Sequence, residues 1–279
     1  MKKRALICFL LLLNLTFSFS VDFKDLSNDA VVMKVGQFEV TIADMKLYMS
    51  GYRSIQKWDR YGVELILNKM IFNLLYMNAC LDEKLFITDV EMDYYTKRFF
   101  EERSVNPKNL DEVQIYFSQN EPYSCIEDFF IKSSFYLNKI KYLAYKGYLK
   151  QVKTKNIFFE TGKSDKTKKQ KIKDEADFYT RQILQGVSFD NILLKYKTKE
   201  TLNLIEENDK IKKIIGEKNI DRILKAGLFS PIFVEGKDGF YIFLNYEYIF
   251  QENEKLVSEI TDELAKKYEV TKLITFYEN

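Results

Sequence analysis

The chain contains no histidine. That absence removes the commonest general base, the commonest metal-ligating ring and every Ser-His or Cys-His nucleophile pair. No CxxC, GxGxxG or GxxxxGK[ST] pattern occurs either, so neither zinc-ligand spacing nor a phosphate-cradling loop is present, and no metal, nucleotide or other cofactor is expected. Only 3 prolines and 10 glycines punctuate 279 residues, which predicts long elements with few sharp turns. Neither sign of charge prevails: 43 Lys plus Arg against 41 Asp plus Glu give a net charge of +2. That balance excludes overall charge as a means of holding nucleic acid or an anionic membrane. What the chain does have is 46% hydrophobic and 30% charged residues, with 19 Tyr and 23 Phe. It can bury a real core in one or two domains and is not disordered by composition.

Lys2, Lys3 and Arg4 precede the apolar run Ala5 to Leu13, and Ser18-Phe19-Ser20 follows as a small-x-small cleavage pattern. This reads as a secretory signal peptide cleaved after Ser20. The run is shorter than the roughly 18 residues that span a bilayer, so the chain is not expected to be an integral membrane protein. Residues 1–20 carry three basic and no acidic side chains, leaving forty against forty-one and a net charge of −1. Cys8 leaves with them. Cys80 and Cys125 remain in a compartment where a disulfide can form, although a small buried thiol is the commoner fate of a cysteine in an apolar helix.

Ala30 to Val35 and Phe38 to Val40 read as a hairpin turning at Gly36-Gln37. Thr41 with Asp44 can cap a helix to about Met49. From Tyr61 to Leu85, Ile66, Met70, Leu74, Met77 and Leu81 form one apolar stripe at helical spacing. Thr88-x-x-Glu91 and Ser124-x-x-Glu127 are capping boxes, the second opening a helix to about Tyr148, and a shorter helix surrounds Leu110 to Phe117. Residues 41–148 are thus expected to be almost wholly helical. Val152 to Phe159 then reads as a strand, and Gly162 to Lys173, with six lysines, as a solvated loop. Helical patterns follow at 174–184, 189–196 and 219–225, and strands at 232–234 and 240–246 around the turn 235–239. The segment from Asn253 to about Phe276 returns to helix with the stripe Leu256, Ile260, Leu264 and Tyr268.

This order resembles the SurA/PrsA group of extracytoplasmic chaperones. Val31 to Asp44 is similar to that family's opening hairpin and "ITxxD"-like cap, and Lys84-Leu85-Phe86-Ile87-Thr88-Asp89-Val90-Glu91 to its "KxGITVSDAEV"-like turn. The second part resembles a parvulin-type prolyl isomerase domain. Val152 to Phe158 sits at "VxASHIL", Gly186 to Tyr196 at "GxDFxxLAxxYS", Lys225 to Ile232 at "KPGEVSPPV" and Gly239 to Phe243 at "GYHIIKV". The resemblance implies a mainly helical α+β protein: signal peptide 1–20, hairpin and helical chaperone module 21–150, parvulin-like domain 151–249, and a C-terminal helix 250–279 packing on the N-terminal module.

The departures carry the functional reading. Asn156 and Tyr241 stand where parvulins have active-site histidines, Phe189 stands at the motif's phenylalanine, and the Gly-rich "GGDLG"-like segment is absent from Thr198 to Ile215. The expected function is therefore a periplasmic holdase without isomerase activity. Its expected partners are unfolded or partly folded polypeptides, outer-membrane protein precursors among them, and not nucleic acid or nucleotide. Tyr94, Tyr95, Phe99, Tyr116, Phe117 and Phe129 are candidate client-binding residues, drawn from the aromatic-dense stretch 94–148. The alternatives are an active parvulin-type isomerase and a surface or scaffold protein.

Overall fold

The computed structural model describes residues 26–52, 60–250 and 254–273. The proposed signal segment, the far C-terminal residues and the side chain of Leu256 lie outside the described residues. The fold is mixed α+β and mainly helical, and the chain divides into two compact units. Of the described residues, unit 1 takes 26–52, 60–82, 110–135 and 255–273, and unit 2 takes 83–109, 136–250 and 254. Unit 2 thus includes residues 83–109 and 136–150, which the sequence assigns to the helical module.

In unit 1, β1 (Val31–Val35) and β2 (Phe38–Thr41) form the hairpin, and α1 (Ile42–Ser50) follows at once. Thr41 Oγ1 accepts from the Asp44 amide at 3.2 Å while Asp44 returns a carboxylate to the Thr41 amide at 2.8 Å, so the capping box forms in full. Gly36 turns the hairpin at φ +56°, where a Cβ would lie 2.5 Å from Asn78 Oδ1. Asn78 is on α2 (Arg60–Asp82), and its amide donates to Val35 O and Leu74 O at 2.9 Å each, tying the hairpin to the helix.

Helix α3 (Asp89–Glu101) opens on the Thr88/Glu91 box and α4 is Leu110–Gln119. Helix α5 (Ile126–Tyr145) starts differently from the expected Ser124/Glu127 box. Asp128, not Glu127, accepts from the Ser124 amide at 2.9 Å and from its hydroxyl at 3.2 Å. The helix begins one residue later than a Ser124 cap would place it, which puts Asp128 at the third helical position and turns Glu127 outward.

The C-terminal segment also differs from expectation. Helix α10 (Glu254–Lys267; α6 to α9 are in unit 2) ends well short of Phe276, and β7 (Val270–Lys272) follows it. β7 pairs antiparallel with β1, giving a three-stranded sheet of order β2-β1-β7. The β-branched pair Val270-Thr271 favours a strand, and β1 offers it an open edge. Ile260, Leu264 and Tyr268 are buried in unit 1, and Asp82 accepts from Lys267 at 2.7 Å and from Tyr268 at 2.8 Å. Both described cysteines are free thiols, Cys80 buried.

Unit 2 is built on β3 (Leu149–Glu160), which pairs along its length with β6 (Gly239–Phe250) in a sheet of order β4-β3-β6-β5, with β4 Leu204–Ile205 and β5 Pro231–Glu235. The stretch expected as a solvated lysine loop is mostly helix: α6 spans Lys166–Leu184, capped by Asp165, whose side chain accepts from the Lys168 amide at 2.8 Å. Unbranched Lys and Gln are good helix formers, and the inward stripe of Ile172, Ala176, Tyr179 and Ile183 supplies the packing. Helices α7 (Phe189–Leu193), α8 (Asp209–Ile215) and α9 (Glu217–Lys225) complete the unit.

The central sheet separates two cores. On one face, Ile157, Phe159, Phe240, Ile242 and Leu244 pack against α6 and α7. On the other, Val152, Phe158, Tyr241 and Phe243 pack against Leu202, Ile205, α8 and α9. Each such large side chain contributes about 1.5–3 kcal/mol by burial.

Candidate functional site

Asn156 and Tyr241 lie on the α8/α9 face of the sheet, with Asn156 opposite Phe243 and Phe158 opposite Tyr241 in the β3–β6 register. Phe189 lies on the α6/α7 face. The sheet therefore keeps Phe189 apart from the other two, and the three do not form one pocket.

Asn156 is 1% exposed and Tyr241 is 0% exposed, so neither can touch an incoming peptide. The Asn156 amide donates to Lys199 O at 3.1 Å and to Asn203 Oδ1 at 3.2 Å, and its oxygen accepts from the Lys199 amide at 3.0 Å. Thr154, on the same face, donates to Leu202 O at 2.5 Å. These bonds pin the stretch 199–203 to the sheet, and Leu202 and Ile205 fill the space beneath it. The segment that lacks glycines is thus drawn inward. The Tyr241 ring lies 4.7 Å from Phe158, and its buried hydroxyl has no hydrogen-bond partner; burial, then the charge of Asp238, pushes it up to about 12. It is therefore uncharged near neutral pH.

The aromatic candidates divide. Phe117 and Phe129 are core residues of unit 1, stacked at 5.7 Å beside Tyr123, and Phe99 is buried in unit 2 with the Arg103 guanidinium 3.8 Å above its ring. These three are corrected from client contacts to core: helical spacing turned them inward. Tyr94 is half-buried, stacked on Phe229 at 6.0 Å, and its hydroxyl accepts from the Phe189 amide at 3.3 Å. Tyr116 is half-buried in unit 1.

Tyr95 belongs to an open strip that the sequence did not single out. It is half-buried on α3, 5.8 Å from Tyr136 of α5, which is 50% exposed. On the same helix as Tyr95, Arg98 lies 4.9 Å over the Tyr246 ring, donates to Tyr246 O and pairs with Glu247 at 3.5 Å. Lys153 holds the other Glu247 oxygen at 2.7 Å, and that bond, then Arg98, keeps the Glu247 carboxyl below its usual range. Burial, then Glu247, raises the Tyr136 hydroxyl. Tyr95, Tyr136 and Tyr246 therefore present half-open rings beside an anchored cation, a surface suited to apolar and aromatic side chains. The available signal was surplus: α5 carries aromatics at 129, 130, 135, 136, 142 and 145, more than one face can bury.

Beside the strip, Glu91 and Lys141 form a half-buried ion pair at 2.7 Å in the wall of a cavity of about 10 Å³ lined also by Ile87, Leu137 and Tyr248. That is room for one water and not for a ligand. Among the described residues, no cluster of acidic or sulfur side chains could hold a metal ion, and no helix is long and apolar enough to cross a membrane.

No protein-family model and no curated protein matches the chain. Among solved structures, PrsA of Bacillus subtilis matches at 13% identity over 86% of each chain, with a TM-score of 0.28. A structure from Campylobacter jejuni, described with PEB4 and Cj1289 as SurA-like chaperones, matches at 14% identity over 88% of this chain and 100% of that one, with a TM-score of 0.31. The PrsA peptidylprolyl isomerase of Bacillus cereus matches at 14% identity over 86% of each chain, with a TM-score of 0.22. At these scores and identities the likenesses carry no argument about activity.

Proposed function

We propose that this protein is an extracytoplasmic, periplasmic holdase that binds unfolded or partly folded secreted polypeptides, outer-membrane protein precursors among them, and that it does not catalyse prolyl isomerisation. The observation that carries the binding half is the half-open strip of Tyr95, Tyr136 and Tyr246 beside Arg98. Many modest apolar contacts retain a chain without locking it in one pose, and release follows when the client folds and buries the same side chains. No nucleotide is needed.

The non-catalytic half rests on the packing around Asn156 and Tyr241. Isomerisation requires a pocket that holds the proline amide and favours its twisted state, lowering a barrier of about 18–20 kcal/mol. Both side chains are inaccessible, and Asn156 spends its amide on its own backbone. The test is a paired assay of the purified protein: suppression of aggregation of an unfolded outer-membrane protein, and cis/trans exchange of a proline peptide. Suppression without exchange is expected. Exchange well above background overturns the non-enzymatic half, and inactivity in both supports a scaffold instead.

A further inference from the structure

A separate surface on α6 suggests a second partner. Residues 163–173 hold six lysines and one aspartate, Asp165, and that aspartate is committed to the helix cap. Lys163, Lys166, Lys168 and Lys171 are exposed, and their side chains make no ion pair or hydrogen bond among the described residues; Lys169 alone of the six has an acidic partner, Glu235 at 2.8 Å. Lysines in the first turns oppose the helix dipole, so helix electrostatics do not account for their placement. They are strung over about 15 Å of one rod, an extended array and not a concave site.

Apolar side chains share the helix and its exit. Lys168, Lys171 and Phe178 follow one another at steps of three and seven residues, which places them along one side. Phe178 is 53% exposed, and the acids between on that side, Asp174 and Glu175, accept from the Gln170 side-chain amide and the Tyr196 hydroxyl at 2.7 Å each. Leu184, Val187 and Leu194 are exposed where the chain leaves α6 and rounds α7, Leu194 at 87%. A row of unpaired lysines continued by exposed Phe and Leu matches an anionic headgroup plane over hydrocarbon. An acidic polypeptide would use the charge but leave the apolar side chains without a role.

We propose that α6 and the turn after it form a docking surface for an anionic phospholipid bilayer. The probe is the full chain with vesicles of phosphatidylcholine mixed with phosphatidylglycerol, read by co-sedimentation. The quadruple variant Lys163→Gln, Lys166→Gln, Lys168→Gln, Lys171→Gln is expected to bind roughly tenfold or more weakly. A scattered variant with the same charge change, Lys210→Gln, Lys213→Gln, Lys218→Gln, Lys237→Gln, is expected to bind within a few-fold of wild type. Equal losses in the two variants, or none in either, overturn the proposal. Phe178→Ser is expected to weaken binding several-fold; unchanged binding rejects the bilayer. Binding to soluble polyglutamate as tight as to the vesicles assigns the patch to acidic polypeptides and overturns it likewise. Circular dichroism confirms that each variant is folded, and none of these readouts depends on client binding.

Discussion

Two aromatic clusters in this protein are made of the same residue types and treated in opposite ways. In unit 1, Tyr48, Tyr52 and Tyr123 surround the Lys132 ammonium at 4.7, 4.6 and 6.0 Å, and Lys132 pairs with the fully buried Asp128 at 2.8 Å. In unit 2, Tyr95, Tyr136 and Tyr246 lie beside Arg98, whose partners Glu102 and Glu247 are at the surface. The cation decides the difference. Burial depresses the Lys132 pKa and raises that of Asp128, so the pair tolerates enclosure only with every contact in place, whereas Arg98 is partly solvated and leaves its rings accessible. One cluster is a structural clamp; the other is the strip proposed to hold clients.

The largest expected effect breaks the clamp. Lys132→Ala leaves Asp128 buried and uncompensated and should cost about 3–5 kcal/mol in urea unfolding, while Lys132→Met with Asp128→Leu should recover most of that loss. Arg98→Ala, its counterpart in the open strip, should cost about 1 kcal/mol or less. A loss for Arg98→Ala as large as for Lys132→Ala would erase the distinction.

Next is the sealed face of the sheet. Asn156→Leu orphans the Lys199 amide and should cost about 1–3 kcal/mol by thermal unfolding with aggregation suppression unchanged. Tyr241→Phe removes a buried hydroxyl that has no partner, so stability should stay within about 1 kcal/mol of wild type or rise. A clear destabilisation would mean that this hydroxyl bonds to something in solution.

The smallest effect is in acid. Lys153, then Arg98, holds the Glu247 carboxyl below its unfolded value of 4.5, so its contribution is present above that value and is lost as pH falls through the lower folded pKa. Glu247→Gln should flatten the acid limb of the thermal midpoint plotted against pH. An unchanged limb would show that the surface pairs around Arg98 do not persist in solution.

Local signals were legible wherever a few neighbouring residues decide the outcome. Thr41 with Asp44 and Thr88 with Glu91 form the boxes their spacing announces, and the β3 and β6 strands appear where apolar runs sit. Signals failed where a distant partner decides. β7 exists because β1 has an edge to fill, and the lysines of α6 obscured the stripe that packs on the sheet. The strip was only half visible: aromatic surplus on α5 was plain, but which ring stays open depends on Arg98 and Tyr246, some 40 and 110 residues from Tyr136. Asn156 could be noted as a missing histidine, yet its bonds to Lys199 and Asn203 are fixed only by folding.

The central claim is that clients are held at the open strip and not at the sealed face. Light scattering of an aggregating unfolded client, with wild type and Tyr95→Ser/Tyr136→Ser compared at equal concentration, tests it most directly. Suppression should fall several-fold in the double variant while its unfolding midpoint stays close to wild type. Undiminished suppression by a folded double variant would contradict the account.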